Sequence, residues 1–151
     1  MKKYILLLTI ILTSFSSIAQ HTKESRKKIK ALKTAYLTEE LQLTSSEAEK
    51  FWPLYNKHEE KIDFLRNKGR IEYKKKIKEA GDLSKLEESD AKKLVLLRLE
   101  LENEIASEKE DFNTKVSKFL SYRKIMKLHI SEREFARKLM RKYGKGRSKK
   151  E

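Results

Sequence analysis

No cysteine occurs among the 151 residues, which excludes a disulfide scaffold and any thiolate metal site. One proline, four glycines and only two valines leave little material for tight turns or β-branched strands, so a sandwich or barrel is not expected. There is no Gly-rich phosphate loop and no Gly-x-Ser-x-Gly elbow, and with no thiol nucleophile nothing in the chain points to an enzyme. Long apolar runs are scarce too. The one that exists, Tyr4 to Leu12 broken by Thr9, is about half the ~20 residues needed to cross a bilayer.

What the chain has in excess is charge: 40% of residues are charged, with 37 Lys and Arg against 23 Asp and Glu and a net +14. Nearly all the excess lies at the end, where Lys115 to Glu151 holds fourteen basic and three acidic residues.

The apolar run belongs to a block with its own logic. Lys2 and Lys3 give a positive start, the run follows, and Ser17-Ile18-Ala19 ends it with small residues where a signal peptidase would test. Residues 1–19 therefore read as a secretory signal cleaved after Ala19, leaving a protein that starts at Gln20. The remainder is read as one helical domain over 20–143 and a disordered basic tail over 144–151, rich in Gly, Lys and Arg.

Four amphipathic helices account for the rest. Ile29, Leu32, Tyr36, Leu37 and Leu41 recur at three- and four-residue spacing from Thr22 onward, which predicts a first helix ending near Leu41. Leu43-Thr44-Ser45-Ser46-Glu47 then reads as a helix start, with Thr44 as N-cap and Glu47 closing a capping box. Phe51, Leu54, Tyr55, His58, Ile62 and Leu65 share the apolar stripe of this second helix. Pro53 should kink it without ending it, because the stripe continues in phase, and Gly69 is a second weak point. Gly81-Asp82-Leu83-Ser84 is the linker signal. Beyond it Ser84 with Glu87, or Ser89 with Asp90, would cap a third helix of about thirty residues, or ~45 Å, with Leu94, Leu97, Leu101, Ile105, Phe112, Val116 and Phe119 on its stripe. Leu120-Ser121-Tyr122-Arg123-Lys124-Ile125 repeats the earlier junction, with Ser121 as cap and Lys124 where the acid of the box would stand. A fourth helix carries Ile125, Leu128, Phe135 and Leu139.

Two leucine-hydroxyl junctions, each opening a helix in an exported, cysteine-free, highly charged chain, resemble the Spy/CpxP-like periplasmic proteins. That family is named for paired Leu-Thr-x-x-Gln motifs, which stand here as Leu43-Thr44-Ser45-Ser46-Glu47 and Leu120-Ser121-Tyr122-Arg123-Lys124, neither with the glutamine. Glu47-Ala48-Glu49-Lys50-Phe51-Trp52-Pro53-Leu54-Tyr55 and Glu132-Arg133-Glu134-Phe135 are similar to the branch labelled sensors of extracytoplasmic-function sigma factors. The resemblance covers about Ser25 to Arg141. It implies an all-α, elongated hairpin arrangement, an antiparallel homodimer and a periplasmic location. The activity it implies is binding to unfolded envelope proteins or to a membrane-bound signalling partner.

Read as chemistry, Leu43, Thr44, Glu47, Leu120 and Ser121 serve helix capping. Trp52 points about 100° away from the face shared by Phe51 and Tyr55, which makes it a candidate partner-binding residue. Arg137 and Arg141 fall on one helix face and are candidates too. The basic tail offers contact with an anionic membrane surface, and the export signal argues against nucleic acid. The alternative function is periplasmic divalent-metal binding or sensing, through His58 near Glu59 and Asp63, or His129 near Glu132. Neither pair closes a cage of three or four donors, so no metal ligand and no cofactor is assigned. Glu100, Glu102, Glu104, Glu108 and Glu110 read as a solvated helix flank.

Overall fold

The computed structural model describes residues 16–144. Residues 1–15 of the expected signal segment and the basic tail from Lys145 to Glu151 lie outside the described residues. The fold is all-α: α1 (Ser16–Leu41), α2 (Ser45–Ala80), α3 (Glu88–Val116) and α4 (Tyr122–Gly144), with one 3-10 turn (Leu83–Lys85) and no strand among the described residues. The chain divides into two compact units, one formed by Leu43–Met126 and the other by residues up to Gln42 together with those from Lys127.

The first unit is an antiparallel helical hairpin of α2 and α3. Its register follows from cross-helix contacts: Phe51 with Phe112 at 6.3 Å between ring centroids, His58 with Glu108, and Lys76 with Asp90. Helix α2 begins as the sequence predicts. Thr44 Oγ1 accepts from the Glu47 amide at 3.2 Å and the Glu47 carboxylate accepts from the Thr44 amide at 2.8 Å, closing the capping box. The helix then passes through Pro53 for its full 36 residues. Pro53 is exposed, so the Glu49 carbonyl that loses its amide partner lies on the solvent side of the helix.

Gly69, read as a weak point, is buried inside α2. A Cβ built there would lie 2.9 Å from Leu101 Cδ1, so the glycine is a point of close helix approach. Gly81 ends α2 at φ 88°, in the left-handed region, with its amide on the Lys78 carbonyl at 3.2 Å.

The expected cap of α3 is not formed. Asp82 takes both the Ser84 amide and the Ser84 hydroxyl at 2.9 Å, winding the 3-10 turn, and Asp90 is held by Lys76 and Lys93 at 3.0 Å each. Glu87 stands at the N-cap with no side-chain hydrogen bond, and Glu88 and Asp90 in the first turn meet the positive end of the helix dipole instead. The helix stops at Val116, three residues short of the predicted stripe, leaving Phe119 half-buried in the turn before the buried Leu120.

In the second unit α1 and α4 pair antiparallel. Glu40 faces Lys127 at 3.7 Å, Lys33 faces Glu132 at 3.8 Å, and the Tyr36 ring lies 5.7 Å from Phe135. Leu37, Leu41 and Leu128 form the buried seam, with Ser131 buried beside them as a residue small enough for close packing. Leu32, expected on the buried stripe, is half exposed at 48%.

Candidate functional site

Leu65, Gly69, Tyr73 and Ile77 follow one another at four-residue intervals along α2, and at the glycine, where the row has no side chain, Leu101 of α3 comes close. Opposite it, Leu101 and Ile105 of α3 complete the floor of an open cavity of about 310 Å³ on the flank of the hairpin. That is the low end of the ~300–1,000 Å³ usual for small-ligand pockets, and the openness suits side chains of a docking segment. The rim is basic. Arg66, Arg70, Lys74 and Arg98 surround the floor, with Glu102 the sole acid among the lining residues. Arg98 donates to Glu102 at 2.8 Å and Arg70 to Asn67 Oδ1 at 2.7 Å, while Arg66 and Lys74 make no ion pair among the described residues.

The far end of the hairpin is aromatic. Phe51 stacks on Tyr55 at 5.2 Å, and Trp52 meets Phe51 edge-on at 5.0 Å and Tyr55 at 5.6 Å. Trp52 is half-buried: it closes the cluster with part of its indole facing solvent.

His58 does not turn to Glu59 or Asp63. Its ring stacks on Phe112 at 4.3 Å, and Nδ1 lies 3.2 Å from Glu108 of the opposite helix, whose other oxygen accepts from Lys61 at 2.9 Å. A carboxylate only accepts, so Nδ1 carries the proton. Glu108 is thus not part of the solvated flank; its side chain is only 10% exposed. Burial pushes its carboxyl up, but the hydrogen bonds from Lys61 and His58 outweigh burial and hold it below the ordinary range. His129 lies 3.9 Å from Glu132. Among the described residues no group of three His, Asp or Glu side chains converges as a metal site would require.

The two helix-start junctions meet. Ser121 Oγ accepts from the Lys124 amide at 3.3 Å, as a cap should, and the Lys124 ammonium reaches Glu47 at 2.6 Å. Leu43 is half-buried and Leu120 buried. Arg137 and Arg141 are exposed neighbours on α4 and line a shallow depression with Ala136 and Met140. Sequence reasoning named Trp52 and these two arginines and missed the groove, whose available signal was Gly69 standing in its four-residue row.

Among the described residues no helix is long and apolar enough to cross a membrane. Comparison with protein-family models, with curated proteins and with solved structures finds no match to this chain.

Proposed function

We propose that this is a non-enzymatic, Spy/CpxP-like binding protein of the periplasm, exported with cleavage after Ala19, which holds segments of unfolded or membrane-bound envelope proteins on the α2–α3 hairpin. The observation that carries the reading is the groove around Gly69: an apolar floor with four cations and one acid at its rim. A partner segment mixing apolar and acidic side chains satisfies both parts, and long-range attraction to the basic rim raises its encounter rate. The junction geometry is in keeping with the family resemblance, since both leucine-hydroxyl motifs start helices and both hydroxyls accept from the third residue on.

A homodimer belongs to the same proposal. Val95, Leu96 and Leu99 are 60%, 54% and 52% exposed on the outer face of α3, away from the groove.

The test is suppression of light scattering from a denatured client by the purified protein. Arg66→Glu with Lys74→Glu reverses two rim charges on exposed positions and should abolish suppression at unchanged helicity. Full suppression by that variant would remove the groove from the function. Crosslinking in the envelope that recovers one membrane protein in place of many clients would favour the signalling partner.

A further inference from the structure

The cations of α4 beyond Met126 differ in what they touch. Beyond Met126, Lys127 pairs with Glu40 at 3.7 Å, and Lys138 lies over the Tyr36 ring at 4.4 Å with its ammonium 3.3 Å from the Tyr36 hydroxyl. Lys127 and Lys138 thus serve the pairing with α1. Arg133, Arg137 and Arg141 do not: all three are exposed, and none makes an ion pair or hydrogen bond among the described residues. They recur every four residues, which sets them about 6 Å apart in a row about 12 Å long on one face. Ile130 and Met140 share that face and are 42% and 76% exposed.

We propose that this outer face of α4 docks on an anionic phospholipid surface, with the three guanidinium groups on phosphate oxygens and Met140 entering the headgroup layer. The inference does not depend on the groove. Three features select this occupant. A planar guanidinium matches a phosphate through two parallel hydrogen bonds, and a row of them suits a surface that repeats phosphates in a plane. Beyond Met126 the exposed apolar side chains, one methionine and one isoleucine set among the arginines, suit shallow seating at a bilayer interface. The sequence after Gly144 continues the same charge, with Lys145, Arg147, Lys149 and Lys150 against Glu151.

The experiment is cosedimentation of the full chain with vesicles of phosphatidylcholine alone or mixed with phosphatidylglycerol, at physiological and at high salt. Binding is expected to the mixed vesicles only, and to fall with salt. Arg133→Gln, Arg137→Gln and Arg141→Gln together should weaken it by on the order of a hundredfold, roughly fivefold per arginine. Neutralising Lys145, Arg147, Lys149 and Lys150 to glutamine should leave most of the helix contribution in place. Met140→Trp in a Trp52→Phe background should show indole emission shifted to the blue on mixed vesicles. Equal binding to both vesicle types would overturn the proposal, as would loss in the tail variant with retention in the arginine variant. So would an unmoved emission from the Met140→Trp variant accompanied by arginine-dependent binding to soluble polyglutamate, which would identify an acidic protein segment as the occupant.

Discussion

Glu47 and Lys124, third residues of two different helices, are joined by an ion pair of 2.6 Å across 77 residues of sequence. Each also takes part in its own helix start: Glu47 through its carboxylate on the Thr44 amide, Lys124 through its amide on Ser121. The lysine that leaves the second capping box open completes the first one's electrostatics.

This pair gives a pH dependence with a definite sign. Hydrogen bonding from Lys124, and then from the Thr44 amide, holds the Glu47 carboxyl below its ordinary 4.5. A carboxyl depressed in the folded state stabilises above its unfolded pKa and loses that stabilisation as pH falls through the folded value. Thermal midpoints of the native protein should therefore fall more steeply below about pH 4.5 than those of Glu47→Gln. Lys124→Met should flatten the same limb, and parallel curves would remove the pair from the account.

Glu108→Ala should cost about 1–3 kcal/mol, because it leaves His58 Nδ1 and the Lys61 ammonium without their shared acceptor. Urea unfolding gives the figure. A change within error would mean that solvent replaces the carboxylate at no cost.

At Gly69 two effects oppose one another. An exposed helix glycine replaced by alanine gains about 1 kcal/mol of helix propensity. Here the new methyl would meet Leu101 Cδ1 at 2.9 Å, and overpacking costs about 1–3 kcal/mol. Gly69→Ala should thus show no gain in stability, and Gly69→Val a clear loss. A full propensity gain for alanine would show that the helices do not approach there.

Gln42 holds φ 47° where α1 ends, a left-handed conformation that side chains adopt at a cost. Gln42→Gly should raise stability by about 1 kcal/mol, and Gln42→Val should lower it. Chemical denaturation of the two variants separates backbone strain from loss of the glutamine side chain.

Trp52 touches both Phe51 and Tyr55, so a purely partner-facing role is too narrow for it. Trp52→Ala should cost about 2 kcal/mol, below the ~3–5 of a fully buried aromatic because the indole is half-buried. Unchanged stability with lost client binding would assign it to the partner alone.

The helix count, the ends of α1 and α2 and the Thr44 box were legible in the sequence because they rest on local signals: spacing of apolar residues and a hydroxyl followed three residues later by an acid. The failures concern partners distant in sequence. Ser84 could not be known to belong to Asp82 while Asp90 belonged to Lys76, since nothing within α3 reveals a lysine fourteen residues upstream. Glu108 looked like its neighbours on α3 until His58 and Lys61 were placed opposite it. The groove was hidden for the same reason, as Gly69 acquires meaning only when Leu101 is set against it. Function was the least legible, for binding surfaces of this kind are built from residue types that also make ordinary cores and solvated flanks.

The reversal at Gly81 closes the α2–α3 hairpin over a handful of residues, whereas Tyr36 waits for Glu134, 98 positions further on. Loop closure over a short span costs less entropy and is faster. During synthesis α1 precedes α4 and remains without its mate until α2, α3 and then α4 have emerged. Among the four helices its greasy side is therefore the longest-lived aggregation hazard, and a chain truncated before α4 would carry that hazard permanently.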